Sequence, residues 1–213
     1  MIFDTHTHHH RLRALINASH TAFSPSHGHF YSLGLHPWHI HACDVSAALQ
    51  SISSLASQHQ QIIAIGECGL DSLIPTPIDV QTAVFEHHIT LSESLQKPLI
   101  IHCVHRSNEI IQLHRKHSPR QPWIIHGFRA NANVLRPLLL RPGIFISIGE
   151  KFNPEAVKLL PLNRLLVETD ESPTPISLIV SAIALTKNAP ATLIADASYR
   201  NILQIFPSVS KSL

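Results

Sequence analysis

Six residues of this sequence carry side chains suited to gripping a cation: His6, His8, Glu67, His102, His126 and Asp170. Four imidazoles and two carboxylates form a borderline-to-hard donor set, suited to Zn²⁺, Mn²⁺ or Mg²⁺ and unlike the thiolate cage of a structural zinc. Six donors exceed what one tetrahedral zinc needs. A pair of divalent ions about 3.5–4 Å apart would use all of them, with a carboxylate such as Glu67 between the two. Cations held this way lower the pKa of bound water and stabilise charge building on a phosphoryl or carbonyl oxygen, so the implied chemistry is hydrolysis. Asp170 is the candidate general base, ligating through one oxygen and orienting or deprotonating the attacking water through the other.

Around this set stand residues with two readings each. His36, in GLHP, and Arg129, just beyond His126, could donate to a substrate phosphate oxygen. The alternatives are a structural hydrogen bond for His36 and a solvated loop cation for Arg129. Glu168 lies two residues before Asp170 and shares its face, where it would hold a ligand histidine in the right tautomer or form a buried ion pair. Asp71, in GLD, reads as a loop cap or as a partner behind a ligand. Cys68 and Cys103 each follow a ligand directly, and strand alternation turns them away from the cations. His9, His10, His39, His41, His87, His88, His105, His114 and His117 read as surface or helix residues.

The elements that must position these residues are legible as short apolar runs, rich in β-branched or aromatic side chains, alternating with longer polar-patterned segments. That pattern predicts repeated βα units around a buried parallel sheet. Eight runs qualify: residues 1–4, 14–18, 30–35, 62–66, 98–101, 123–125, 144–148 and 165–168. Eight is the number of strands in a TIM-type (β/α)8 barrel, whose sites lie at the C-terminal ends of the strands. The donors fall at or just beyond such ends, and His6 and His8, two apart, project to one side. Helices are expected at 45–59, 79–96, 107–117, 131–140, 154–160, 176–187 and 192–206. The apolar face of the second is read at Val80, Val84, His88, Leu91 and Leu95. Only a short stretch separates the first two runs, too little for a helical crossover, and 19–29 reads as loop. The barrel is therefore expected to be trimmed around its first two βα units.

Bulk properties set the remaining bounds. The 213 residues suit one barrel domain spanning 1–213, slightly under the ~250 residues of a full barrel. With 44% hydrophobic and 14% charged residues the chain is globular, neither disordered nor a coiled coil. A formal charge of +2 lacks the dense basic clusters of an obligate nucleic-acid binder. Three cysteines without a CxxC pair argue against a disulfide framework and for a reducing cytoplasmic setting. Neither an export signal nor a membrane span is expected, and the oligomeric state is not legible.

The segments DTHTH, GLHPW, GECGLD, PLIIHC, IIHGF and LLVETD, in that order, resemble the successive motifs of the TatD family of metal-dependent hydrolases. Asn201, five residues before Phe206, resembles the family's closing helix. The resemblance implies a TIM barrel of the amidohydrolase kind, two divalent metal ions, and hydrolysis of phosphodiester bonds in DNA or a nucleotide substrate. Carried over by motif, His6, His8 and Asp170 would hold one ion, His102 and His126 the other, and Glu67 would touch both. Val104 and Ala130 depart from the family pattern, where Arg and Gly are common. The expectation is thus a deoxyribonuclease. The alternatives are an amidohydrolase-like or aminoacyl-tRNA ester hydrolase using the same metal site, or a non-catalytic barrel binding protein; the intact six-donor set speaks against the last.

Overall fold

In the computed structural model, which describes residues 1–211, eight strands pair in sequence order and all in parallel. They are β1 (Asp4–Thr7), β2 (Ala14–Ala18), β3 (Phe30–Leu33), β4 (Ile62–Asp71), β5 (Leu99–Val104), β6 (Trp123–Ile125), β7 (Ile144–Ile148) and β8 (Leu165–Val167). The ring closes just beyond β8. Thr7 bridges Asp170, the Asp170 amide donates to the His6 carbonyl at 2.9 Å, and the His8 amide donates to the Asp170 carbonyl at 3.1 Å.

Around the barrel run α1 (Val45–Gln58), α2 (Ile78–Leu95), α3 (Ser107–His117), α4 (Ala132–Leu139), α5 (Pro154–Leu159), α6 (Ile176–Lys187) and α7 (Ala191–Ile205). Side-chain caps start several of them: Asp44 accepts from the Ala47 amide, Asn131 from Asn133, and Asn153 from Ala156. Gln96 in the left-handed region ends α2. No single helix among the described residues is long and apolar enough to cross a membrane.

As expected, the barrel is trimmed: residues 8–13 join β1 to β2 without a helix, and 19–29 form loop and turns. Several strands extend or shift relative to the apolar runs. β1 lies at Asp4–Thr7 and not 1–4, β4 continues to Asp71, and β5 to Val104. The face of α2 is rotated, since Val80 is exposed while Gln81, Val84, Phe85, His88, Ile89 and Ser92 are buried.

Two apolar layers result from strand alternation. Outward residues such as Ile16, Leu33, Ile101, Ile125, Ile146 and Val167 pack against the helices. A second cluster joins Leu15, Ile100, Ile124, Phe145 and Leu166 to Ile202, Ile205 and Phe206, from the end of α7, so that α7 contributes to the packed floor of the barrel. Asn201 secures that helix by donating to the carbonyls of Leu162 and Leu165, both at 2.8 Å. Along each strand the alternation then leads from apolar floor to polar rim: Ile100 is followed two residues later by His102, Ile124 by His126, Leu166 by Glu168, and Leu15 by Asn17.

Candidate metal centre

The Glu67 carboxylate is the hub of the rim. It is buried at the turn of the GECG segment in β4, where Gly66 and Gly69 both have positive φ, 128° and 144°. A Cβ at either would collide with a β5 backbone carbonyl, that of Ile100 or His102, so the two glycines let β4 lie close enough to β5 to aim Glu67 inward.

Each carboxylate oxygen faces a different set of imidazoles. Oε2 lies 3.3 Å from His6 Nε2 and 3.7 Å from His8 Nε2. Oε1 lies 3.1 Å from His102 Nδ1, 2.8 Å from His126 Nε2 and 3.0 Å from His36 Nε2. Asp170 closes the first set, with Oδ1 at 3.6 Å from both His6 Nε2 and His8 Nε2. Its φ of 57° is an uncommon left-handed conformation for a residue other than glycine, held by the ring-closing hydrogen bonds to β1. All six sequence-expected donors therefore converge, and His36 joins them. Three groups of donor atoms lie within 4.8 Å of one another: His6, His126 and Asp170; His6, His8 and Glu67; and His36, Glu67 and His102.

The protonation pattern fits a cation. His6 is fully buried, yet neither ring nitrogen has a hydrogen-bond partner, and His126 Nδ1 is likewise without one. Buried imidazole nitrogens left unsatisfied are costly unless something else binds them. Burial works against a charged His126, but the adjacent Glu67 carboxylate raises its pKa well above the ordinary value. Burial likewise pushes the Glu67 pKa up, and the charge on His126 with the surrounding imidazole hydrogen bonds brings it well below the carboxylate range. A cation at this position would compete with protons for the His126 ring. The Glu67 hydrogen bond also raises the pKa of His8.

Further groups stand behind the donors. Asp71 Oδ2 lies 2.9 Å from His102 Nε2 while Glu67 Oε1 lies 3.1 Å from its Nδ1, so the ring is held in orientation between two carboxylates. Asp71 Oδ1 also accepts from the Leu73 amide at 2.8 Å, so Asp71 both caps the loop and stands behind His102. Asp71→Asn is expected to weaken metal binding about 10- to 100-fold. A competition titration against a chelating dye measures this, and unchanged affinity would leave Asp71 as a cap alone. Glu168 accepts from the Gly127 amide at 2.5 Å, and its Oε1 stands 3.6 Å from His126 Nδ1, a charge contact too long for a hydrogen bond.

His36 differs from the other imidazoles. Its Nδ1 accepts from the Trp38 amide at 3.1 Å, so Nε2 carries the proton and donates toward Glu67. Burial keeps its pKa low and the ring neutral. Arg129 is 60% exposed, with Nη2 4.0 Å from Asp170 Oδ2.

Sequence reasoning missed Asn17, whose Nδ2 donates to Glu67 Oε2 at 3.1 Å while its Oδ1 accepts from the Glu67 amide at 3.2 Å. The signal was a lone amide at an inward position of the otherwise apolar ALINA strand. His88 and His114, read as surface or helix residues, lie in α2 and α3 on the buried faces of those helices. Cys68 is fully buried with its thiol held on the outer, helix-facing layer, and burial pushes the Cys103 thiol up to about 12, so neither offers a thiolate.

An eight-stranded parallel barrel whose C-terminal rim gathers five imidazoles and two carboxylates is a metal-binding α/β barrel in its layout. Residues 4–207 match the TatD related DNase family, and the chain belongs to that family. It is 30% identical over 172 residues to a protein of Buchnera aphidicola subsp. Baizongia pistaciae named an uncharacterized metal-dependent hydrolase, covering 70% of this chain and 64% of that one. The chain thus spans just under two thirds of that relative's length. It is 29% identical over 206 residues to the 3'-5' ssDNA/RNA exonuclease TatD of Pantoea sp. (strain At-9b), covering 81% and 76% of the two chains. A crystal structure of a TatD homologue from Escherichia coli superposes with a TM-score of 0.81 at 19% identity, over 91% of this chain and 86% of that one, and shares the fold.

Proposed function

We propose that this chain is a metal-dependent nuclease that hydrolyses phosphodiester bonds of DNA or a related nucleic acid using two divalent ions, Mg²⁺, Mn²⁺ or Zn²⁺. The observation that carries the reading is the division of Glu67: one oxygen toward His6 and His8, the other toward His102 and His126. His6, His8 and Asp170 would hold one ion, His102 and His126 the other, and Glu67 would bridge them. The nuclease name of the Pantoea relative supports the substrate class.

When bound, such ions polarise phosphoryl oxygens and make a bound water more acidic. The chain's own residues do the rest. Asp170 keeps Oδ1 on the His6 and His8 side while Oδ2 points toward Arg129 and the open rim, so Oδ2 is the base that takes the proton of the attacking water. The water oxygen forms the new bond to phosphorus as the bond to the leaving oxygen breaks; that oxygen departs with the bonding pair and takes up a proton from solvent. His36 is neutral and directs its Nε2–H at Glu67; were a cation to take that carboxylate oxygen, the same N–H would be free to donate to a non-bridging phosphate oxygen, and Arg129 supplies charge at the rim. Asp71 holds His102 through a hydrogen bond, and Glu168 sets a carboxylate 3.6 Å behind His126.

The test is cleavage of labelled single-stranded DNA with Mg²⁺ or Mn²⁺, beside elemental analysis of the purified protein. His102→Ala is expected to lower the cleavage rate at least about 100-fold. Parent-like cleavage by that variant would identify a contaminant and sink the reading, as would a metal-free preparation that binds no divalent ion on titration.

A further inference from the structure

We propose that Trp38 is a stacking platform for an unpaired nucleobase, so that the site receives a strand whose base next to the reacting phosphate has left its neighbours. This rests on the nuclease reading above and names the form of nucleic acid that the site takes.

Trp38 lies in the short 3-10 helix Pro37–Ala42 that follows β3, directly beside His36. It is 53% exposed, unusual for so large an apolar ring. The ring is nonetheless fixed. Its Nε1–H donates to Asp71 Oδ2 at 2.7 Å, the same oxygen that holds His102. It stands edge-on to the His36 ring, with centroids 4.9 Å apart and planes at 83°, and 6.0 Å from the His102 ring. With its polar edge satisfied, what it leaves to solvent is aromatic surface already immobilised before any ligand arrives. Landing on such a ring costs little further ordering.

Its surroundings make that surface part of the site. Trp38 lines a cavity of about 1040 Å³ together with Leu73, Val104 and Phe128 and with the donors Glu67, His102 and Asp170. A nucleotide, anionic at its phosphate and flat at its base, suits a cavity that holds both the donor set and an exposed indole face. A paired base inside a duplex has both faces covered by its neighbours; only an unpaired, unstacked base can present a face to Trp38. Every base has a π-face to stack, so the platform is expected to accept any base.

The test compares two substrates of equal length, an unpaired oligodeoxynucleotide and an oligomer with abasic positions throughout. The parent is expected to favour the base-bearing strand by about tenfold or more in kcat/KM, mostly through KM. Trp38→Leu should collapse that preference, whereas Trp38→Phe, which keeps a stacking face but loses the bond to Asp71, should retain most of it. Equal losses on both substrates, or an undiminished preference in Trp38→Leu, would overturn the platform and leave Trp38 as a prop for Asp71. Fluorescence gives a second readout, because Trp123, the other of the two tryptophans, is fully buried. Oligonucleotide binding should quench the parent's emission, and the abasic oligomer should not. If the parent cuts neither substrate with any divalent ion, the nuclease reading has failed, and quenching alone then decides: its presence upholds a base platform, its absence overturns it.

Discussion

Glu67→Gln is expected to lower hydrolysis by about a thousandfold or more while the barrel remains folded. The substitution keeps the side chain's length, so the contact with Asn17 that orients it can persist. What it removes is the single negative charge that five imidazoles face at 3.7 Å or less. One of the two oxygens becomes an amide nitrogen, which offers a cation no lone pair, and the other becomes a neutral oxygen, so a cation at either donor set would be held less well. Elemental analysis should show less bound divalent metal than in the parent, and circular dichroism should show the parent's secondary structure. A variant that keeps two ions and cleaves within tenfold of the parent would mean that Glu67 does not bridge.

The largest effect on stability is expected away from the rim, at His88. This residue is fully buried in α2, and both ring nitrogens are engaged: Nδ1 with the Val84 carbonyl at 2.8 Å, and Nε2 accepting from the Leu35 amide at 3.0 Å. The second bond anchors the backbone immediately before His36. Protonation of Nε2 would set a donor against a donor, and burial already pushes the pKa from 6.5 down to about 4. Below the unfolded value the unfolded chain binds the proton and the folded chain does not. Stability contributed by neutral His88 is therefore complete above about pH 6.5 and is lost as the pH falls toward 4, roughly 3 kcal/mol over that window. Urea unfolding of the metal-free parent and of His88→Gln between pH 4 and 7.5 measures it. The gap between the two should narrow or reverse as pH falls; a gap that stays constant would exclude His88 as the origin.

How much of this was legible in the sequence depended on whether a segment's chemistry served packing or the rim. β2, β6, β7, α3 and α6 lie where apolar patterning places them, because their burial is mostly against helices or neighbouring strands. The strands that carry donors were cut short or shifted. In β1 the apolar Ile2 and Phe3 precede the ladder, and the paired residues are the polar DTHT. In β4 the segment GECGLD has little intrinsic strand preference and is held extended by pairing with β5. Propensity fails there because the barrel interior changes from apolar to polar along each strand, and tertiary pairing overrides local preference. Site residues with marked spacing, such as His6 and His8, stood out regardless. Asn17 and the shared role of Asp71 did not, since each depends on which strand lies next to which.

The seam at which the ring closes also bears on the order in which the molecule can be made. His6 and His8 belong to the first strand, Asp170 follows the last, and the contacts between them are the hydrogen bonds that join Thr7 and His8 to Asp170. Pairing across so long a stretch of chain carries a loop-closure cost and comes late in folding. A cation held by His6, His8 and Asp170 together would therefore be gripped only after the circle is complete, so metal uptake is expected to report on the final step of folding.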